Sequence, residues 1–204
     1  MPFWSTNFGE NKNLNDPKRN HRFIVEFGGI NATPGGAVAW YAKSAAKPSF
    51  NITSAEHNYL GHKFYYPGSV TWNAISITMV DPVDPDMSAT FSDIITQGGY
   101  APPTDTTSLG TISKAKAAAA LGSITITQLD SDGNPLETWT LWNPFIKGIE
   151  YGDLSYDEDA LGEITLTIRY DWAVLETANA AEAAGAAAAF NGRTFFKPGS
   201  GGTR

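Results

Sequence analysis

From Glu163 to Trp172 the chain alternates without a break. Ile164, Leu166, Ile168, Tyr170 and Trp172 fall on one side, and Glu163, Thr165, Thr167, Arg169 and Asp171 on the other. A side-chain period of two belongs to a β-strand with one face packed and one face wet, because successive Cβ atoms point to opposite faces of a sheet. Such a strand needs antiparallel neighbours and a second layer over its apolar face. The rest of the chain offers both. His21–Gly28 (HRFIVEFG) places Phe23, Val25 and Phe27 on one face, Val38–Ser44 carries Trp40, and Ser123–Leu129 (SITITQL) leads to Leu136–Trp142 through a turn at Asp132-Gly133. Leu161–Trp172 is the expected last strand.

The stretch Tyr59–Pro82 (YLGHKFYYPGSVTWNAISITMVDP) organises the middle of the chain. Pro67-Gly68 reads as a turn, and Val70–Val80 as one strand whose phase changes at Ala74-Ile75. Val70, Trp72 and Ala74 share one face, whereas Ile75, Ile77 and Met79 follow the other parity, which predicts a β-bulge. Asp84 then reads as an N-cap with Pro85 at the first helical position, and Met87, Phe91, Ile94 and Ile95 recur at helical spacing over about three turns. Before the stretch, Ala45–Lys63 carries interrupted strand signals (Phe50, Ile52, Thr53) and reads as a long hairpin or extended loop reaching off the body. Gly98–Ser113 reads as loop, Lys114–Leu121 as a helical turn, and Asn143–Gly152 as a bend holding Pro144, Phe145 and Ile149.

The expected fold is therefore mainly β: an antiparallel β-sandwich or barrel with one short flanking helix and extended arms at both ends. Residues 1–20 form the N-terminal arm, 21–176 the β domain, and 177–204 an Ala/Gly-rich C-terminal extension. Phe3, Trp4 and Phe8 are unusual in a solvated arm and suit an anchor on the body or on a neighbouring subunit, and Phe190, Phe195 and Phe196 suit a similar role at the other end.

Several function classes are disfavoured. The 204-residue chain has no cysteine, which excludes disulfides, thiolate zinc sites and cysteine nucleophiles. No apolar run approaches the ~18 residues that span a bilayer, so membrane insertion is not expected, and the N-terminus lacks the apolar core of a secretory signal. Residues 23–182 hold 19 acidic and seven basic side chains, while both termini are basic. A body this acidic repels nucleic acid.

Candidate chemistry reads more simply as structure. Asp81, Asp84 and Asp86 could bind a divalent cation, but acids at a helix start cap its free N–H groups. Asp130-Ser-Asp-Gly-Asn lacks a third early acidic ligand and the closing Glu of a calcium loop, and reads as a hairpin turn. His57 and His62 are spaced for neither one helix face nor one strand face. The acids from Glu150 to Glu163 could pair as catalytic carboxylates, yet such a run is more often a solvated loop. No acid, base and nucleophile stand at a recognisable spacing. Neither enzymatic activity nor a cofactor or metal is expected.

The ordered set of segments resembles the tail tube proteins of T-even-type contractile-tailed bacteriophages. HRFIVEFGG is followed by WYAKSAAKPSFNITSAEHNYLGHKFYYPG, then by VTWNAISITMVDP running into SATFSDII. SITITQLDSDGNPLETWTLWNPFIKGIEYGDLSYD and EITLTIRYDWAVLE close the set, which covers roughly residues 20–176. No single motif is diagnostic, and both arms lie outside the resemblance. It implies a structural protomer: homo-hexameric rings stack into a hollow tube inside a contractile sheath, and the tube conducts viral DNA. Sheath, baseplate and tape-measure proteins are the implied partners, and the implied location is the virion tail, assembled in the host cytoplasm. The polar segment containing Ser49, Phe50, Asn51, Ile52, Thr53, Glu56, His57, Asn58 and Tyr59 is the expected ring-stacking contact. The polar side of the last strand (Glu163, Thr165, Thr167, Arg169, Asp171) is the expected lumen face, where an acidic lining would let DNA slide. Alternatives are the tube of a contractile injection system or a baseplate tube initiator. A different class is a carbohydrate-binding virion accessory module, with Tyr59, Tyr65 and Tyr66 as its aromatics.

Overall fold

The alternating segments pair into two antiparallel sheets, and a third pair of strands stands apart from both. A computed structural model describes residues 18–30, 42–102, 104, 110–157, 159–177 and 193–196. The first sheet has the order β1-β6-β7-β10-β11, built from Phe23–Phe27 (β1), Ile124–Leu129 (β6), Pro135–Trp142 (β7), Trp172–Thr177 (β10) and Arg193–Phe195 (β11). The second has the order β2-β5-β9-β8, from Ala42–Ala45 (β2), Ile75–Val80 (β5), Glu163–Arg169 (β9) and Phe145–Glu150 (β8). Among the described residues, Phe50–Tyr59 (β3) and His62–Trp72 (β4) pair only with each other. Two helices, Met87–Gln97 (α1) and Lys114–Leu121 (α2), complete the described elements.

The core lies between the two sheets and is closed by α1. Val25, Ile124, Ile126 and Leu141 from one sheet and Ile75, Ile77, Met79, Ile164, Leu166 and Ile168 from the other are buried together with Met87 and Phe91. Phe27 and Phe91 meet edge to face at 5.9 Å. Alternation decides which residues enter: β6 and β9 bury every second side chain and leave Thr125, Thr127, Thr165 and Thr167 on the half-exposed face. Close backbone packing joins β1 to the end of α2. A Cβ on Gly29 would lie 2.2 Å from the Ala120 carbonyl, so only glycine fits there.

The strands expected at His21–Gly28, Ser123–Leu129 and Leu136–Trp142 form as β1, β6 and β7. The Asp130 carboxylate closes the β6–β7 turn, accepting from the N–H groups of Asp132 and Asn134, each at 2.8 Å. The Asn134 backbone bond is the chief cause of a pKa held below the usual carboxylate value. This is the hairpin turn that the sequence implies for residues 130–134.

Other boundaries differ from expectation. The phase change at Ala74-Ile75 is not a bulge within one strand. β4 ends at Trp72 and pairs with β3, whereas β5 begins at Ile75 and pairs with β2 and β9, so Asn73-Ala74 is the corner between two sheets. The turn is at Leu60-Gly61, not at Pro67-Gly68; Gly61 has φ +80° and Leu60 φ +49°. The N-cap is Asp86, which accepts from the Ala89 N–H at 2.9 Å, and not Asp84. Asn143–Gly152 contains a strand, β8, and Leu161–Trp172 is two elements, since β9 ends at Arg169 and Trp172 opens β10 in the other sheet. Among the described residues Lys114–Leu121, expected as a helical turn beside the one flanking helix, is a second helix, and Ser113 caps its start through its hydroxyl. The expected strand Val38–Ser44 overlaps β2; Trp40, Phe3, Trp4, Phe8 and Phe190 lie outside the described residues.

Candidate functional site

The β3–β4 hairpin is the part of the fold that the core does not explain. Its strands run 10 and 11 residues, and every residue from Phe50 to Thr71 is exposed. A two-stranded hairpin is at best marginally stable alone in water, so its root carries the support. Asn73 donates its N–H to the Ser49 carbonyl at 2.8 Å, and its side chain bonds Ser49 Oγ at 3.0 Å and the Asn51 amide at 3.1 Å. Trp72 packs against Phe50 at 5.0 Å, Tyr170 at 6.0 Å and Phe196 at 5.5 Å between ring centroids. Lys47, just before β3, donates to Gln128 at 2.7 Å and to Glu137 at 3.0 Å.

Glu137 is the electrostatic centre of that root. Burial pushes its carboxyl pKa up, but hydrogen bonds from Lys18, Lys47 and the Trp139 indole outweigh burial and hold it at about 2. The chain segments before β1 and β3 are thus tied to β7 through one carboxylate.

All nine residues expected at a stacking surface, Ser49, Phe50, Asn51, Ile52, Thr53, Glu56, His57, Asn58 and Tyr59, lie in β3 or directly before it. The sequence reading left out their partners on β4: Phe64, Tyr65, Tyr66 and Val70 are exposed as well. The missed signal was Gly61 between two runs of nearly equal length. A real bulge does occur here, where register slips between Ile52/Val70 and Ser54/Pro67. Gly68 sits at it, and a Cβ there would meet Thr53 Oγ1 at 2.4 Å. Past the bulge, Ala55–Tyr66, His57–Phe64 and Tyr59–His62 pair on one face, and Ser54–Pro67, Glu56–Tyr65 and Asn58–Lys63 on the other. His57 and His62 therefore do share a strand-pair face, as diagonal neighbours across the turn, which their spacing alone concealed.

The second expected surface is only partly one surface. Glu163, Thr165, Thr167 and Arg169 occupy the half-exposed face of β9, opposite Val80, Thr78 and Ser76 of β5. Thr78 and Thr165 hydroxyls lie 3.3 Å apart, and Lys43 bonds Glu163. Asp171 stands apart, in the corner before β10. There Lys114 (2.7 and 2.8 Å) and Asn143 (2.9 Å) bind its carboxylate, and the Lys114 bond is the main cause of its lowered pKa. The other acids of interest have structural partners or stand in loops. Asp81 accepts from Ser88 Oγ at 2.7 Å, and Asp153, Asp157 and Asp159 are exposed between β8 and β9.

An exposed hairpin on a two-sheet body with a helix at its side defines the class of fold. No protein-family model matches the chain, and a search of curated proteins returns no match. Solved structures do share the fold. A chain of the anti-feeding prophage baseplate, 6-fold symmetrised, superposes with a TM-score of 0.56 at 16% identity, over 78% of this chain and 95% of that one. A chain of the sheath–tube complex of an extracellular contractile injection system, in the extended state, gives 0.55 at 17% identity, over 80% and 94%. A chain of the anti-feeding prophage tube-terminating cap gives 0.55 at 20% identity, over 83% and 97%. At these identities the likeness establishes a shared fold across most of the domain.

Proposed function

We propose that the chain is the protomer of a tube in a contractile tail or injection particle, with a structural and not a catalytic role. The observation that carries this reading is the β3–β4 hairpin: long, aromatic, exposed from Phe50 to Thr71 and, among the described residues, braced at its root. An element that its own subunit does not cover suits contact with another copy. The shared fold with chains of injection-particle structures supports the same reading. Copies close into a six-membered ring, and rings stack into a hollow tube within a sheath. The terminal strands β2 and β8 of the second sheet serve as lateral contacts between copies.

Within the ring, the outward face of β9 (Glu163, Thr165, Thr167 and Arg169) lines the channel, with Asp171 set aside. Its threonine row offers hydroxyls and few cations, a lining over which a polyanion slides. A phage tail passing DNA and an injection particle passing another cargo both fit this arrangement. Sheath, baseplate and tape-measure proteins complete the particle in the virion reading.

Electron microscopy of the purified protein tests the proposal. Hollow tubes or six-membered rings are expected. A dispersed monomer whose melting temperature rises with added sugar would instead favour a carbohydrate-binding module, the class that the exposed Tyr59, Tyr65 and Tyr66 would also suit. A ring structure with Thr165 and Thr167 pointing radially outward would overturn the lumen assignment alone.

A further inference from the structure

The β3–β4 hairpin and the loop between β8 and β9 stand at opposite ends of the same two strands. β5 and β9 pair antiparallel, with Ile75 opposite Ile168 at one end and Val80 opposite Glu163 at the other. The hairpin joins at the first end, where Asn73 precedes β5 and Trp72 packs on Tyr170 just past β9. The loop 151–162 leaves and returns at the second end, where the Asp81 N–H donates to the Gly162 carbonyl at 2.9 Å. At ~3.4 Å per residue the two ends of the paired segment are about 17 Å apart.

The loop is held at its base and bare at its tip. Gly152, with φ +73°, lies so close to β9 that a Cβ would approach the Glu163 carbonyl at 2.8 Å. The Tyr151 hydroxyl lies 2.9 Å from Ser92 Oγ on α1. Beyond these anchors Leu154 is 100% exposed, and Tyr156 and Leu161 are exposed beside Asp153, Asp157 and Asp159. The loop spans residues 151–162, well beyond the few residues of an ordinary connection, and loops of such length often serve in binding. The hairpin's distal half shows the complementary chemistry. Tyr59, Phe64 and Tyr66 share a face with two imidazoles, His57 and His62, while the Glu56–Lys63 ion pair (2.8 Å) occupies the other face. Covering the ion pair would desolvate two charges, a larger cost than covering the aromatic face.

We propose that the β8–β9 loop of one copy receives the aromatic face of the β3–β4 hairpin of the next. The inference rests on the tube reading and adds the receiving surface. Two different surfaces at opposite ends make a heterologous, head-to-tail contact, which propagates instead of closing. Leu154 and Tyr156 meet Tyr59, Phe64 and Tyr66, and the loop's carboxylates face His57 and His62.

Two variants test it, Tyr66→Asp on the hairpin and Leu154→Asp on the loop. Both sites are exposed, and circular dichroism checks that each variant folds. Rings of each variant alone should fail to stack in electron microscopy and sedimentation. Preformed rings of the two, mixed, should join once, because each supplies the intact surface that the other lacks, giving paired rings and no long tubes. Long tubes from Leu154→Asp, or a mixture that assembles no further than its components, would overturn the inference while leaving the tube reading intact. Wild-type rings that never stack would overturn the inference alone, and wild-type protein that forms neither rings nor tubes would overturn both.

Discussion

Trp72 links the exposed hairpin to the buried core. Its indole belongs to β4 but packs on Phe50, Tyr170 and Phe196, and it is the one buried residue of that strand. Replacing it with Ala removes a large buried ring and its contacts with all three. Urea unfolding of Trp72→Ala should show a loss of about 3–5 kcal/mol; a loss under ~1 kcal/mol would mean that the ring supports nothing. Glu137 makes a second prediction at this scale. Its folded pKa of about 2 lies below the ordinary 4.5. The stability that it contributes is therefore complete above the unfolded value and is lost as pH falls through the folded one. Between these two values, Glu137→Gln should unfold with a flatter pH dependence than the wild type, read from urea midpoints. Equal slopes would show that Lys18 and Lys47 do not hold the carboxylate in solution. Glu137 was not singled out in the sequence, because its partners Lys18 and Lys47 are far away along the chain and meet it only through sheet packing.

At the scale of elements, legibility follows burial. β1, β6 and β9 could be read because one face of each enters the core, which separates apolar from polar residues at period two. β3 and β4 are not legible as two strands, because Trp72 is their one buried residue and nothing sorts the other side chains. β8 was hidden by a register slip between Ile146 and Gly148 that breaks its alternation, and β10 by consecutive buried residues, Ala173 and Val174. The phase change at Ala74-Ile75 was real in the sequence, but the chain resolves it by changing sheets. Helix starts were legible to within two residues: Asp84 and Asp86 offer the same chemistry, and only the observed bond to the Ala89 N–H selects Asp86. Asp86→Ala should accordingly cost about 1 kcal/mol, and Asp84→Ala less than ~0.5 kcal/mol, in paired thermal or urea melts. The reverse order would place the cap at Asp84.

For the whole molecule, two sheets and α1 enclose a core sufficient for a subunit, and the features left over all face outward. These are the hairpin at one end and the acidic loop with Leu154 and Tyr156 at the other. In the proposed tube these are the surfaces that neighbouring copies would bury. The central claim, that copies stack through the hairpin, is tested most directly by shortening it without touching its root. Residues 53–69 are replaced by Asn-Gly, which closes a two-residue turn on the Ile52–Val70 pair and keeps Phe50, Trp72 and Asn73 in place. In electron microscopy the wild type should form hollow tubes and the shortened chain single, unstacked rings. Long tubes from the shortened chain would contradict it.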